Sequence, residues 1–409
     1  MRILALLLCL LANPAVATDR ASVERQFQSW LVTDIWPEAR RAGVGQDTFQ
    51  AAFKGVRLNW DLPDLVLPGA SDRPKGRQSQ AEFRAPSRYF AQGALSGNTS
   101  IGRDMARRHA EVLARIEART GVPGRIVLSI WGRESAFGRA SIPHNAFEVL
   151  GTKGFMSRRK DYFRGELIAA LRIAEAGHIA PGAMRSSWAG ALGQPQFMPS
   201  SFLNYAADGT GDGRANIWTS EVDTLASIAN YLARHGWIAG RDWGFEVTVP
   251  ERISCALEGP DQGRRIRDWE ALGITRVSGR PFPDHERGGE AFLMMPAGRL
   301  GPAFLVTPNF YVLKDYNQSD LYALFVGHVA DRIQYGVGNF RGGWAKVDTL
   351  SRGDVARLQD ALIAKDHDVG GADGLAGFKT RRSIGRWQAE NGLEQTCFPS
   401  RRLARRLAK

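Results

Sequence analysis

Apolar residues in the first part of the chain recur at the helical interval. Over residues 22–42 they fall at Val23, Phe27, Trp30, Leu31 and Ile35, the spacing of one buried helix face. Residues 105–120 read the same way and stop at Gly121, and 162–176 stop at Gly177. Over 222–235, Leu225, Ile228, Ala229 and Leu232 share a face before Gly236, and glycine suits the end of a helix. The period changes between about 245 and 313. Residues 245–249 alternate, and 291–295 and 303–307 are short apolar runs between Pro and Gly, which predicts strands of a small insertion. Helix returns over 320–334. The glycine-rich stretch 335–343 predicts a domain linker. Beyond it, Val355, Leu358 and Leu362 lie on one helix and Ile384, Trp387 and Gln388 on another. The expected fold is mainly α, of the α+β kind: a helical domain over 18–340 with a β-rich insertion at about 245–313, and a small helical domain over 341–409.

The first seventeen residues follow a different pattern. Arg2 precedes an apolar run over 3–12, then Asn13-Pro14 and Ala15-Val16-Ala17. That is a charged start, a short apolar core and an A-x-A site, so a secretory signal cut after Ala17 is expected. Cys9 lies inside the run and cannot become the first residue of the cut chain, so no lipoprotein is expected. No later stretch is apolar for long enough to span a bilayer. Export places the mature protein in the periplasm. Its net charge of +12 before cutting suits an acidic polymer or surface: nucleic acid, anionic lipid or the carboxylates of a cell wall. Charge alone does not choose among them. Cys255 and Cys397 remain after cutting. Export permits a bridge, but their separation and their different predicted domains argue against one. They lack metal-ligand spacing.

The chemistry concentrates at residues 121–138. Pro123 suits the first turn of a helix and Gly138 its end. Ile126 and Ile130 stand at intervals of four from Glu134, and Val127 and Trp131 join the same face, so Glu134 is placed on the apolar side of its own helix. Burial raises a carboxyl pKa, and the negative helix end pushes the same way. A glutamate protonated near neutral pH can protonate a glycosidic oxygen. A structural glutamate paired with Arg133 or Arg139 would sit equally well there. Residues 187–201, Ser-Trp-Ala-Gly-Ala-Leu-Gly-Gln-Pro-Gln-Phe-Met-Pro-Ser-Ser, are small-residue-rich, with Gln196 and Phe197 expected to project from a tight loop. Small residues admit a polymer to the backbone, and amides with an aromatic offer hydrogen bonds and a face for a sugar ring. Residues 208–214 place Asp208, Thr210 and Asp212 at positions one, three and five, Gly213 at six and the Arg214 carbonyl at seven, oxygen spacing that suits Ca²⁺. Position twelve is Thr219 rather than glutamate, and Asp223 further on could supply the missing carboxylate.

Taken in order, R-E-S-x-F-G, the 187–201 loop, D-G-T-G-D-G-R-A-N-I-W and A-N-Y-L-A-R-H-G-W resemble the lytic murein transglycosylase B family over about residues 22–340. The resemblance implies a lysozyme-like helical core and cleavage of peptidoglycan between N-acetylmuramic acid and N-acetylglucosamine, closing a 1,6-anhydro sugar without water. It implies Glu134 as the acid/base, Ser187 as an assisting serine beside the N-acetyl group, Gln196 and Phe197 as loop residues at the sugar, and Tyr231 as a substrate-binding tyrosine beside the glutamate. Tyr316 and Asn317 would be further pocket residues. It also supports a structural Ca²⁺ at 208–214 with Asp223, and no cofactor for the chemistry. The chain departs from the family at Gln194-Pro195, where an aromatic and a glycine are usual, which bears on one sugar subsite. Leu358-Gln359, Asp373-Gly374 and Ile384 with Trp387-Gln388 resemble the peptidoglycan-binding domain-1 module, a small three-helix bundle; residues 401–409 are more basic than that pattern.

The expected partner is thus peptidoglycan, met by a monomer. A lysozyme-type hydrolase would use the same glutamate with water as acceptor. A non-catalytic wall-binding scaffold is opposed by Glu134 itself. A nucleic-acid binder is opposed by the export signal and by the absence of a nucleic-acid motif.

Overall fold

The structure, a computed structural model, describes residues 19–69 and 85–407; the expected signal segment lies outside them. Two compact units make up the chain. One comprises Met1–Asp72, Pro143–Ala191 and Met198–Ser200, the other Arg73–Ile142, Leu192–Phe197 and Ser201–Lys409.

In the first unit the periodic stretch at 22–42 is helical but broken. Arg20–Trp30 passes through a wide π turn, Leu31–Ile35, into Trp36–Arg41. Pro37 explains the turn, because it has no N–H to give to the carbonyl four residues back. Phe27 and Ile35 are fully buried, and Phe27 meets Phe155 edge-on at 5.5 Å. The helices Ala146–Met156 and Lys160–Glu175 complete this unit's frame, and His144–Asn145 pairs antiparallel with Arg185–Ser186.

The second unit centres on the buried helix Gly124–Ser135, whose Ile126, Val127, Ile130 and Trp131 are all inaccessible. Around it pack Gln92–Arg108, Ala110–Thr120, Glu221–Arg234 and Asp320–Tyr335. The Ser129 hydroxyl donates to the Val326 carbonyl at 2.8 Å, so the two central helices touch through a bonded polar group. The predicted helix at 105–120 is in fact two, parted at His109, which meets Glu221 at 2.9 Å.

The insertion is a five-stranded antiparallel sheet in the order Arg264–Arg265, Glu290–Met294, Ala303–Val306, Gly244–Thr248, Thr275–Arg276. Phe245 faces Leu305 and Phe292 faces Val306 in register. After it come Pro308–Tyr316 and then Asp320–Tyr335. Three helices close the chain, Arg352–Ile363, Phe378–Glu390 and Arg401–Leu407, around Leu358, Leu362, Ile384, Trp387, Leu403 and Leu407. The glycine-rich stretch before them is not a free tether. Gly342 N–H donates to Glu246 and Ala345 N–H to the Leu300 carbonyl, and Phe340 packs on Phe90 and Phe304.

The cysteines correct the expectation drawn from their separation. Cys255 and Cys397 form a disulfide across 142 residues. The predicted domains are in contact, which the chain interval alone could not reveal. Arg299 N–H also donates to the Thr396 carbonyl, so the last helices are stapled to the sheet insertion.

Candidate active site

Glu134 lies in the last turn of its helix, and the backbone beyond the helix turns sharply. Ala136 and Phe137 both take left-handed conformations, with φ of 49° and 59°, which costs side-chain-bearing residues about 1–3 kcal/mol each. Packing repays this. Phe137 is buried edge-on against Trp131 at 5.4 Å, and the Ala136 and Phe137 N–H groups close on the Gly132 and Trp131 carbonyls. Gly132 leaves the room: a Cβ there would stand 2.5 Å from the Phe137 ring.

The glutamate keeps part of its surface open while most of its surroundings are protein. Burial pushes its carboxyl up to about 7, against smaller opposing effects of the Tyr322 hydrogen bond and the Arg133 charge. Tyr322 donates its hydroxyl to Glu134 Oε1 at 2.5 Å. Its own pKa is driven well up by burial and by the neighbouring carboxylate, so it stays a donor. Arg133 is turned aside, donating to Tyr89 Oη at 2.8 Å with its guanidinium over the Tyr89 and Phe325 rings.

Tyr322 was not singled out in the sequence. It sits in the helical period of 320–334 as one more half-apolar position, and its partner is 188 residues away. Tyr231, the tyrosine expected beside the glutamate, donates to the Asp315 carbonyl at 2.8 Å and stacks on His235. Tyr316 lies in the field of the glutamate. Its ring lies parallel to that of Tyr322 at 6.5 Å, its hydroxyl donates to the Pro195 carbonyl at 2.7 Å, and Glu134 is among the charges that raise its pKa, after burial. Asn317 is exposed at the end of helix Pro308–Tyr316, its side-chain oxygen accepting from Ser319 N–H.

The loop residues divide. Gln196, with a left-handed φ of 53°, donates its amide back to the Gly193 carbonyl at 2.9 Å and stays partly exposed. Phe197 does not project as expected. It is 2% exposed, beneath Tyr231 and Tyr316 at 5.5 and 5.9 Å, because its backbone pairs with Leu192 and turns the ring inward. It supports the tyrosines rather than offering a face. Gln194, the departure from the family pattern, braces the Glu134 helix: its Oε1 accepts from Trp131 Nε1 at 2.9 Å and its Nε2 donates to the Trp218 carbonyl at 3.2 Å. Ser187 belongs to the first unit, where its hydroxyl accepts from Ala191 N–H at 3.2 Å and closes a tight turn.

In the loop 208–214, Asp208 accepts from Thr210 Oγ1 and from the N–H groups of Gly211, Asp212 and Gly213, and Asp212 accepts from Arg214 N–H. Asp223 is fully buried, and its two oxygens take the N–H groups of Gly209, Thr210 and Asn216. Its lone pairs are therefore largely committed to the backbone. Among the described residues no three acidic, histidine or cysteine side chains converge as a metal site. The oxygens of Asp208, Thr210 and Asp212 with the Arg214 carbonyl make a partial donor set for a hard cation.

A mainly helical frame with a small antiparallel sheet, presenting one carboxyl that holds its proton near neutral pH, is the layout of a lysozyme-like glycan-cleaving protein. Comparison with known proteins narrows the class. The model of the transglycosylase SLT domain matches residues 26–331. The membrane-bound lytic murein transglycosylase B of Escherichia coli K12 is 30% identical over 273 residues, 66% of this chain and 73% of that one. SltB3 from Pseudomonas aeruginosa, solved with NAG-anhNAM-pentapeptide, superposes with a TM-score of 0.82 at 35% identity, covering 94% of this chain and 99% of that one. The Escherichia coli lytic transglycosylase Slt35 in complex with calcium matches with a TM-score of 0.58 at 25% identity, over 76% and 93% of the two chains. The chain belongs to the transglycosylase SLT domain family, and its activity is that of a lytic transglycosylase.

Proposed function

We propose that the protein cleaves the β-1,4 bond between N-acetylmuramic acid and N-acetylglucosamine in peptidoglycan, with Glu134 as both acid and base. The carrying observation is the Glu134 carboxyl itself, held near 7 by burial with a tyrosine donating to it. In the first half-reaction protonated Glu134 gives its proton to the glycosidic oxygen as the C1–O bond breaks. The carboxylate left behind accepts the Tyr322 hydroxyl, and the substrate's own acetamido group supports the cationic centre. In the second half-reaction Glu134 takes the proton of the muramic C6 hydroxyl as that oxygen bonds to C1. Glu134 ends protonated again, the product is a 1,6-anhydro sugar, and no water enters. Most glycosidases need a second carboxylate as base or nucleophile; here the substrate supplies both remaining parts. Gln196, Tyr231, Tyr316 and Asn317 serve as sugar contacts.

The protein works in the periplasm as an exported monomer; no helix among the described residues is long and apolar enough to cross a membrane. The three C-terminal helices hold it on the polymer, which raises the local substrate concentration. The loop 208–214 takes a structural Ca²⁺ of modest affinity, in keeping with its partial donor set, and the chemistry needs no cofactor.

Mass spectrometry of the products tests the central reading. Digestion of purified peptidoglycan is expected to yield muropeptides lighter than hydrolysed ones by about one water, roughly 18 Da, and Glu134→Gln is expected to yield none. Reducing-end products would make the protein a hydrolase. No products from the wild-type chain, with binding intact, would make it a scaffold.

A further inference from the structure

Asp320 opens the helix Asp320–Tyr335 two positions before Tyr322, and charges from two other helices meet on it. Lys314, on Pro308–Tyr316, reaches Asp320 Oδ1 at 2.7 Å. Arg381, on the C-terminal helix Phe378–Glu390, reaches Oδ2 at 3.4 Å. The same guanidinium donates to Glu258 of the sheet insertion at 3.0 and 2.5 Å, and to the Ala376 carbonyl at 2.7 Å. Arg381 is 4% exposed and Glu258 is fully buried. Glu258 also accepts from Met295 N–H at 3.0 Å. A guanidinium and a carboxylate so far from water as Arg381 and Glu258 persist only in one well-bonded geometry.

The segment that this cluster clamps is the one facing Glu134. Ser319 caps the helix through Tyr322 N–H at 3.2 Å. Tyr316 lies just before it, with its hydroxyl on Pro195, and Tyr322 just after, with its hydroxyl on Glu134. The C-terminal helices are held to the sheet by the Cys255–Cys397 bridge and by Arg382, which pairs with Asp261 at 2.9 and 3.0 Å. A module serving only as a tether would need none of this buried chemistry beside the reacting end of the core.

We infer that the C-terminal module positions the catalytic acid: Arg381, through Asp320, fixes the start of helix Asp320–Tyr335 and thereby the Tyr322 hydroxyl on Glu134. The inference rests on the reading of Glu134 as the acid, and makes Arg381 a positioning residue rather than a catalytic one. Tyr322, Arg133 and Tyr316 bear on Glu134. Of these, two flank the clamped segment. Loosening the clamp withdraws a donor from the Glu134 carboxylate, so the carboxyl holds its proton to higher pH.

The test uses the full chain with its disulfide intact. Asp320→Asn weakens the contacts to both Lys314 and Arg381 while leaving Arg381 paired with Glu258. The double change Arg381→Met with Glu258→Gln removes the guanidinium without stranding a buried carboxylate. Rates on peptidoglycan are measured across pH for both, for Tyr322→Phe, and for Tyr322→Phe combined with each. The expected result is a kcat lower by roughly tenfold with KM changed less than about twofold, and an alkaline limb of the pH–rate profile displaced upward. Tyr322→Phe is expected to displace the same limb, with no further displacement on combination. Arg381→Lys is expected to recover part of kcat. A raised KM with kcat and the alkaline limb unmoved would reduce the module to a tether, and additive displacements would detach Arg381 from Tyr322. Either outcome overturns the inference. Activity surviving in Glu134→Gln would instead sink the assignment of the acid, which the same series reads separately.

Discussion

Glu134→Gln should abolish cleavage and, above neutral pH, make the protein more stable. A carboxyl with a folded pKa of about 7, against an ordinary value of 4.5, keeps its proton in the native state where the unfolded chain has lost it. Between those values the native state binds more protons than the unfolded one, so stability falls as pH rises through the window and is flat on either side. The gap between 4.5 and about 7, at about 1.4 kcal/mol per pH unit, bounds the loss at about 3–4 kcal/mol. Glu134 is not wholly enclosed, and solvent screening brings the expected loss to about 2 kcal/mol. Glutamine has nearly the same shape, still accepts the Tyr322 hydroxyl, and carries no charge to desolvate. Thermal unfolding of both proteins at pH 4, 6 and 8 reads the effect. The two midpoints should coincide at pH 4, part across the window, and at pH 8 differ by several degrees in favour of the variant. Curves that stay parallel from pH 4 to 8 would refute the raised pKa, and with it the account of why this carboxyl is an acid at all.

Other changes separate structural from contacting residues. Phe197→Ala, under Tyr231 and Tyr316, should cost about 3 kcal/mol in denaturant unfolding, whereas Gln196→Ala should leave stability within about 0.5 kcal/mol and raise KM. Replacing Cys255 and Cys397 with serine should cost about 2–4 kcal/mol, and reductant should lower the melting temperature of the wild-type chain but not of that variant. Millimolar calcium should raise the midpoint over a chelator by roughly 1–2 kcal/mol of stabilisation, with Asp208→Asn removing the difference; equal melting in both solutions would dismiss the ion.

The sequence made the frame legible wherever packing follows local period. The helices near 162–176, 222–235 and 320–334 and the strands near 245, 291 and 303 lie within a few residues of the observed elements, because each buries one face of a regular pattern. Gln92–Arg108 escaped notice. Its buried positions include Thr99 and Gly102, and Gly102 is small because Ile333 fills the space where a Cβ would be. No apolar stripe marks such a helix. The π turn at Leu31–Ile35 was hidden for the opposite reason: the apolar spacing continues straight through it, and only Pro37 signals a change.

The site was legible to the extent that its chemistry is local. Glu134 could be found because one helix carries both the carboxyl and the apolar residues that desolvate it. Tyr322, Gln194 and Arg381 could not, because each matters through a bond to a distant part of the chain: to Glu134, to Trp131, and to Glu258 and Asp320. The error over the cysteines has the same origin, since a bridge depends on where two helical and strand segments meet. The distinction has a mechanistic side. Burial alone makes Glu134 a stronger holder of its proton; in the proposed mechanism that serves the first half-reaction and hinders the second, when the carboxylate must exist. The Tyr322 hydroxyl acts in the other direction, stabilising that carboxylate. One residue therefore needs both a local cause for its acidity and a long-range partner for its basicity, and only the first of these is written in the order of residues around it.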